Sequence, residues 1–465
     1  MGAELSIQPF MPSSGVMLFI WTNLLILLLF VTVTYTSAYA EVSVPRSESE
    51  PILVDPKLRV DTVFKGIKFP VSMAFLGNND ILVLEKNEGT VRRIVNGVML
   101  ENPLLKVNVS SAGEGGMLGI AIAKDDNTLR NLTHVFVYYT EATQKKAEDQ
   151  SSLVRNRLYR YELVDDKLVN PKLILDLPGG TLHNGGVVLI GFDKNVYLIV
   201  GDTLASNPQE SELVDGTAGI LRVNQEGNAV KNQQNQSILG NTHPSNKYYA
   251  YGIRNGFGMD FDPVTGKLWD TENGAEYGDE INLVEPGFNS GWGSAQVFGT
   301  QKTGDPEHFV PSPNPIDLAN FGGRLAYSPP ELAIFPTIGI TALTFLNSTN
   351  YGKEYENVIL VGDFHIGNLY RLQLTKNRGQ LQLNDQLSDK VANNMDQLEE
   401  IILGRGFGGI TDIEIGPDGN IYVLSLHQGG VPCDNCRPYI TNYVSYNLTS
   451  SEPGTIFRIV PANSR

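Results

Sequence analysis

Residues 183–202 read HNGGVVLIGFDKNVYLIVGD. Two short apolar runs, Val187–Ile190 and Val196–Val200, flank the polar stretch Gly-Phe-Asp-Lys-Asn. Short β-branched runs on either side of a turn-forming cluster read as strand, turn, strand. The segment GILRVN from Gly219 follows as a third strand.

The same unit recurs along the chain. Before it stand FPVSMAFLGNNDILVLEKNEGTVRRIV from Phe69, and GGMLGIAIA from Gly115, which runs through HVFVYYTEA to NRLYRYEL. After it come RNGFGMDFDPVTGKLWDTENG from Arg254, closed by DEINLV, and IGITALTFL from Ile338, continued by VILVGDF and NLYRLQL. The last is GGITDIEIGPDGNIYVLSL from Gly408, closed by GTIFRIV at Gly454. The linking motifs D-P-V-T-G-K and G-P-D-G-N place Asp, Gly and Pro where a tight turn needs them, and T-D-I-E-I alternates with the period of a half-buried strand. Six β-units in series predict an all-β chain folded as a six-bladed β-propeller of four-stranded antiparallel blades, because radial repetition hides sheet edges. A strand around Leu58–Phe64 is expected to complete the last blade and close the ring. The expected layout is residues 1–40 as signal peptide or membrane anchor, 41–56 as a Pro, Ser and Glu-rich linker, and 57–465 as the propeller.

Composition narrows the function. The chain of 465 residues carries 47 glycines and 25 prolines, as many short turns require, and a net charge of -16. Phosphate binding needs clustered Lys and Arg, so nucleic acid is excluded as a partner. The run from Val16 to Tyr35 is an expected N-terminal hydrophobic helix, close to the ~20 residues that span a bilayer. Ser37-Ala38-Tyr39-Ala40 fits a small-residue cleavage site. No Lys or Arg precedes Arg46, so charge does not fix the orientation of the segment. The expectation is a body that is extracellular or on the outer face of the membrane, secreted or anchored. Sequons at Asn108, Asn131, Asn235, Asn347 and Asn447 are compatible with that location. The only cysteines, Cys433 and Cys436, form a C-x-x-C pair with no second pair to complete a thiolate metal site. A small disulfide loop or a redox pair remain open for them.

Polar residues at the starts of inner strands and in loops leaving second strands converge on one end of a propeller channel. Here these are Glu85, Lys86, Glu114, His183, Asp202, Arg254, Asn255, Glu272, Asn273, Asp363, His365, Thr411, His427 and Gln428. Charge at an axis is unfavourable unless it is paired or binds something. His183 opens an inner strand, with Asp202 19 residues further on at the end of its partner. A carboxylate bonded to one imidazole nitrogen orients the ring for acid–base work, although a histidine bonded within a turn gives the same pattern. Arg254 suits carboxylate or oxyanion recognition, or pairing with the acidic excess. The stretch Thr271–Glu280 gathers carboxylates, an amide and glycine-exposed carbonyls, the oxygen mixture calcium takes, and reads equally as a solvated acidic loop.

At these residues the chain resembles the glucose/sorbosone dehydrogenase family, the soluble quinoprotein glucose dehydrogenases and aldose sugar dehydrogenases. The resemblance spans about residues 58–460. It is carried by LHNGGVVLIGFDKNVYLIVGD and YGIRNGFGMDFDPVTGKLWDTENGAEYGDEINLVEPGFNSGWG, with GEGGMLGIAI and ITDIEIGPDGNIYVL in support. It implies pyrroloquinoline quinone held over the channel with calcium, His183 as general base toward the sugar C1 hydroxyl as hydride passes to the quinone, and Asp202 orienting that His. Arg254 matches the residue that polarises a quinone oxygen, and Asn255 its neighbour. Gly274 and Ala275 match calcium-ligating carbonyls, Asn273 an adjacent Gln, and Asp279 and Glu280 a pair that helps hold structural calcium. The chain departs from the family at Glu114, where Gln binds cofactor, at His365, where Lys does, and at Gly409 and Thr411, where two Arg stand. Arg405 is close to these in sequence, and Ala275 replaces a usual Pro.

The expected function is quinone-dependent oxidation of an aldose at C1 to the lactone, with electrons passed to an external acceptor. A non-catalytic calcium-binding propeller for a sugar or protein, and a metal-dependent lactonase, are the alternatives.

Overall fold

The hairpin turns explain the regular strands. At three of them an aspartate accepts a backbone N–H two residues on: Asp193 from Asn195 (3.0 Å), Asp262 from Val264 (3.0 Å) and Asp418 from Asn420 (3.1 Å). Such Asx turns replace a backbone turn bond and reverse the chain within a few residues. In two of them a tyrosine from the second strand, Tyr197 or Tyr422, donates its hydroxyl to the same aspartate at 3.0 Å.

The computed structural model describes residues 50–124, 132–142, 154–204, 208–211, 214–275, 278–293, 300–302, 309–311, 318–335, 337–426, 431–432, 444–445 and 453–463. These belong to one unit, Glu48–Arg465. Strand β1 is Leu58–Lys68. The first sheet follows with β2 (Pro70–Gly77), β3 (Asp80–Glu85) and β4 (Thr90–Val95). The second holds β5 (Met117–Lys124), β6 (Thr133–Ala142), β7 (Val154–Val164) and β8 (Lys167–Pro178). The third holds β9 (Val188–Ile190), β10 (Val196–Val200), β11 (Gly219–Val223) and β12 (Tyr248–Tyr251). The fourth is β13 (Gly256–Phe261), β14 (Leu268–Glu272), β15 (Asp279–Val284) and β16 (Leu332–Ile334). The fifth is β17 (Ile340–Leu346), β18 (Val358–Asp363), β19 (Leu369–Gln373) and β20 (Ile402–Arg405). The last joins β21 (Gly409–Ile415), β22 (Ile421–Leu426) and β23 (Pro453–Pro461) to β1.

The arrangement is an all-β propeller. The inner hairpins of successive sheets pack side by side around an axis, and β21 returns to pack on β2. Closure is made by β1, which lies antiparallel to β23 from Leu58↔Pro461 to Lys68↔Pro453. The expectation of four strands per blade holds for two sheets only. The other four gain short outer strands from the connecting loops, among them Phe288–Asn289 and Ala326–Tyr327 beside the third and Val391–Ala392 beside the fourth. Ile52–Leu53, inside the expected linker, pairs with Arg405 and Gly404 on the fifth. Added strands cover edges that would otherwise expose unpaired N–H and C=O groups.

The core lies between neighbouring sheets. Trp269, Phe345, Ile359 and Tyr370 fill the gap between the fourth and fifth, and Phe136, Tyr138, Leu198 and Tyr248 that between the second and third. Each such side chain contributes roughly 1.5–3 kcal/mol when fully buried. The expected N-terminal hydrophobic helix at 16–35, the boundary at Ala40, Cys433, Cys436, Asn131, Asn447, His427 and Gln428 lie outside the described residues. No helix among the described residues is long and apolar enough to cross a membrane. Asn108, Asn235 and Asn347 are exposed.

Candidate active site

In an antiparallel hairpin the start of one strand faces the end of its partner. Pro70 pairs with Glu85, Gly256 with Glu272, and Ile340 with Asp363. Loops before inner strands and after second strands therefore emerge at the same end of the ring. The axial cavity is about 310 Å³ and is lined at that end by Lys86, Glu114, Asn273 and His365. Asp260, Asp412 and Glu414 line it elsewhere.

His183 and Asp202 flank the β9–β10 hairpin. The His183 Nδ1 lies 2.6 Å from Asp202 Oδ1, and both side chains are buried. His183 sits at φ +56°, a left-handed backbone uncommon outside glycine. Its N–H donates to Glu114 Oε2 at 2.7 Å and its carbonyl accepts from Thr203 N–H at 3.2 Å, so the conformation is held from both sides. The next residue anchors the loop to the second sheet. Asn156 Nδ2 donates to Asn184 Oδ1 at 2.8 Å, and Asn156 Oδ1 accepts from Thr140 at 2.9 Å. Gly201 is pinned between the His183 and Arg254 carbonyls, which an added Cβ would meet at 2.4 and 2.7 Å.

Arg254 precedes β13. Its N–H donates to Glu272 Oε1 (2.6 Å) and its Nη1 to the Asn273 carbonyl (2.9 Å), while its buried Nε has no hydrogen-bond partner among the described residues. Burial lowers its pKa, against the opposing charges of Asp202, Glu272, Glu114 and Asp279. Asn255 bridges Glu114 Oε2 (3.0 Å) and Gly185 N–H (3.2 Å), tying the second, third and fourth sheets together. Asn273 donates to the Ile340 carbonyl at 2.6 Å. Burial raises the Glu272 carboxyl to about 7, moderated by the Arg254 N–H, by Ser290, and by the Arg254 charge.

Trp292 was not singled out from the sequence. Its Nε1 donates to Asp202 Oδ2 at 2.5 Å, and the Arg254 guanidinium carbon lies 5.2 Å from the centre of its ring. The signal available was the G-W-G step at residues 291–293, beyond β15.

The acidic loop separates into two behaviours. Asp279 Oδ1 accepts from Gly274 N–H (2.9 Å), and Oδ2 from Ile338, Gly339 and Ile340 N–H (2.7, 2.8 and 3.2 Å). This carboxylate brackets the turn into β17, with burial raising its pKa to about 6. Glu280 is different: among the described residues its Oε1 and both oxygens of Asp270 are buried with no hydrogen-bond partner. Burial holds both carboxyls well above the usual range, reinforced by Glu272. No three His, Cys, Asp or Glu among the described residues form a metal cage.

Glu114 turns Oε2 into the protein, where it accepts from His183 and Asn255. Lys86 stands close enough for the two charges to act on one another, with Nζ donating to the Gly113 carbonyl at 2.9 Å. Burial lowers this lysine to about 8, against the Glu114 charge. His365 reaches the cavity wall, and so does Thr411 without supplying a cation. Arg405 does not substitute for the missing arginines: it is half-exposed and pairs with Glu399 at 2.5 Å. The orphaned Arg254 Nε, Lys86 and the amide of Asn273 make a donor set that fits an anionic, oxygen-rich ligand.

A family model described as glucose/sorbosone dehydrogenase matches residues 67–431. An uncharacterised protein of Synechocystis is 25% identical over 81% of this chain and 85% of its own length. The aldose sugar dehydrogenase YliI of Escherichia coli is 24% identical over 80% of this chain and 91% of its own. The solved PQQ-bound aldose sugar dehydrogenase of Streptomyces coelicolor superposes with a TM-score of 0.58 at 20% identity, covering 88% of this chain and all of that one.

Proposed function

Because this chain belongs to the glucose/sorbosone dehydrogenase family, we propose that it oxidises an aldose at C1 to the lactone, with His183 as general base. The chain is an oxidoreductase of the sugar dehydrogenase type. The observation that carries the finer reading is the 2.6 Å contact between His183 Nδ1 and Asp202 Oδ1. An acceptor-only carboxylate places the proton of a neutral ring on Nδ1, which leaves the Nε2 lone pair to take the C1 hydroxyl proton. Pyrroloquinoline quinone, when bound, supplies the two-electron acceptor for the C1 hydride. Arg254, Lys86, Asn255, Asn273, His365 and Glu114 would surround it, with Arg254 offering its unpartnered Nε to an oxygen. Calcium is part of the proposal, with Gly274 and Ala275 carbonyls and Glu280 as ligands and Asp279 holding the loop. The six sheets are read as six blades, and the body as exported, secreted or membrane-anchored, delivering electrons to an external acceptor.

A second reading is a propeller that binds a sugar or protein without turnover. It is favoured by the cavity lining, where four carboxylates (Glu114, Asp260, Asp412 and Glu414) face one lysine, Lys86. The test titrates the purified protein with pyrroloquinoline quinone in the presence of calcium, then assays dye reduction with a panel of aldoses. Saturable uptake with sugar-dependent reduction is the expected result. A folded protein that takes up no quinone refutes the dehydrogenase and leaves the binding propeller.

A further inference from the structure

We propose that Trp292 is a positioning residue: its indole keeps Asp202 bonded to His183 and apart from Arg254. The inference rests on the reading of His183, Asp202 and Arg254 as the reacting group of residues. Asp202 and Arg254 carry opposite charge on adjacent hairpins, and their backbones are already joined by the Asp202 N–H to the Arg254 carbonyl (2.9 Å). Two such side chains in a buried setting attract strongly. Nevertheless, among the described residues Arg254 forms no ion pair within bonding distance, and its guanidinium donates to a backbone carbonyl. The indole accounts for this. Its edge gives Nε1–H to Asp202 Oδ2 and its face takes the guanidinium, so each charge is satisfied by a different part of one rigid ring. Asp202 Oδ1 is thereby left for His183 Nδ1 and the Leu204 N–H (2.9 Å).

The ring is itself held. Trp292 N–H donates to the Gly252 carbonyl (3.0 Å), Ser290 N–H to the Tyr251 carbonyl (3.1 Å), and Ser290 Oγ to Glu272 Oε2 (2.5 Å). Gly291 and Gly293, at φ +95° and +93°, let the turn double back on either side of it. The turn is thus bonded to both the third and fourth sheets, whose loops carry Asp202 and Arg254.

The experiment compares wild type, Trp292→Phe and Trp292→Leu as full chains. One readout is the downfield proton resonance of His183 Nδ1–H, recorded without quinone or sugar. The Phe variant keeps the aromatic face but loses the N–H, so Asp202 becomes a stronger acceptor for His183 and the resonance moves further downfield. The Leu variant lets Arg254 reach Asp202, and the resonance moves upfield. In loaded enzyme, kcat is expected to fall about tenfold in the Leu variant, the worth of one charge-assisted hydrogen bond, and less in the Phe variant. The Leu effect is expected to vanish in an Asp202→Asn background, which a purely structural tryptophan would not do. If either variant fails to fold, the wild-type Trp292 Nε1–H resonance serves instead: it should lie far downfield and move upfield in Asp202→Asn. An unmoved His183 resonance in both variants, or an unmoved indole resonance in Asp202→Asn, overturns the proposal. A moved resonance in a protein that never oxidises sugar would instead sink the dehydrogenase reading and leave the role of Trp292 standing.

Discussion

Asp202→Asn is the most informative single change. It is nearly isosteric, yet Asp202 accepts three hydrogen bonds: His183 Nδ1 and Leu204 N–H at Oδ1, and Trp292 Nε1 at Oδ2. An amide has one acceptor end and one donor end. With its oxygen toward His183 and Leu204, its NH₂ faces the indole N–H; reversed, it faces the Leu204 N–H. Either orientation leaves one donor opposed to a donor, at a cost of about 1–3 kcal/mol in stability. The reversed orientation also draws the imidazole proton onto Nε2, the position the base needs empty. Since a positioned general base contributes roughly 10²–10⁴-fold, kcat should fall by at least about 100-fold. The dissociation constant of the quinone should change by less than about threefold, because no quinone-facing donor is altered. The assay is sugar-dependent dye reduction by quinone-loaded protein, with quinone binding followed by its absorbance. A folded, loaded variant that keeps kcat within about threefold of wild type would refute the base assignment.

Three further outcomes are expected. His183→Ala should abolish turnover, by about 10²-fold or more, while quinone uptake is retained; loss of folding instead would make His183 a structural residue. Gly201→Ala should destabilise by about 1–3 kcal/mol and lower activity together, since its Cβ would push on the carbonyls of both His183 and Arg254; a variant that melts like wild type contradicts this. Thermal stability without added calcium should fall as pH rises. Asp260 and Asp363 are raised by burial to about 6, and Asp412 to about 7, from an ordinary value of 3.8. These groups hold their protons more tightly when folded, so their contribution is fully present below pH ~4 and is lost as pH climbs through about 6–7. A melting temperature lower at pH 7.5 than at pH 5 by roughly 5 °C is the expected scale, and a rise over that interval would contradict the burial.

Much of this protein was readable in one dimension. Strand pairs, their Asp-Gly turns and the recurrence of the unit are local properties, set by alternation and by residues within a few positions of one another. The gathering of Glu114, His183, Arg254, Asn273 and His365 at one end followed as well, because antiparallel hairpins return the chain to the end where it began. The His183–Asp202 contact spans one hairpin, and so its spacing could announce it. What tertiary structure alone decided crosses between sheets. Trp292 reaches Asp202 across 90 residues, and Asn255 reaches Glu114 across 141. Asp279 accepts from three N–H groups some 60 residues on. Arg405, close in sequence to the missing cations, faces Glu399 because its strand lies at the outer side of its sheet. No periodicity encodes such contacts. They arise when separate hairpins are packed around an axis and each buried polar atom must find whichever partner the neighbouring sheet presents.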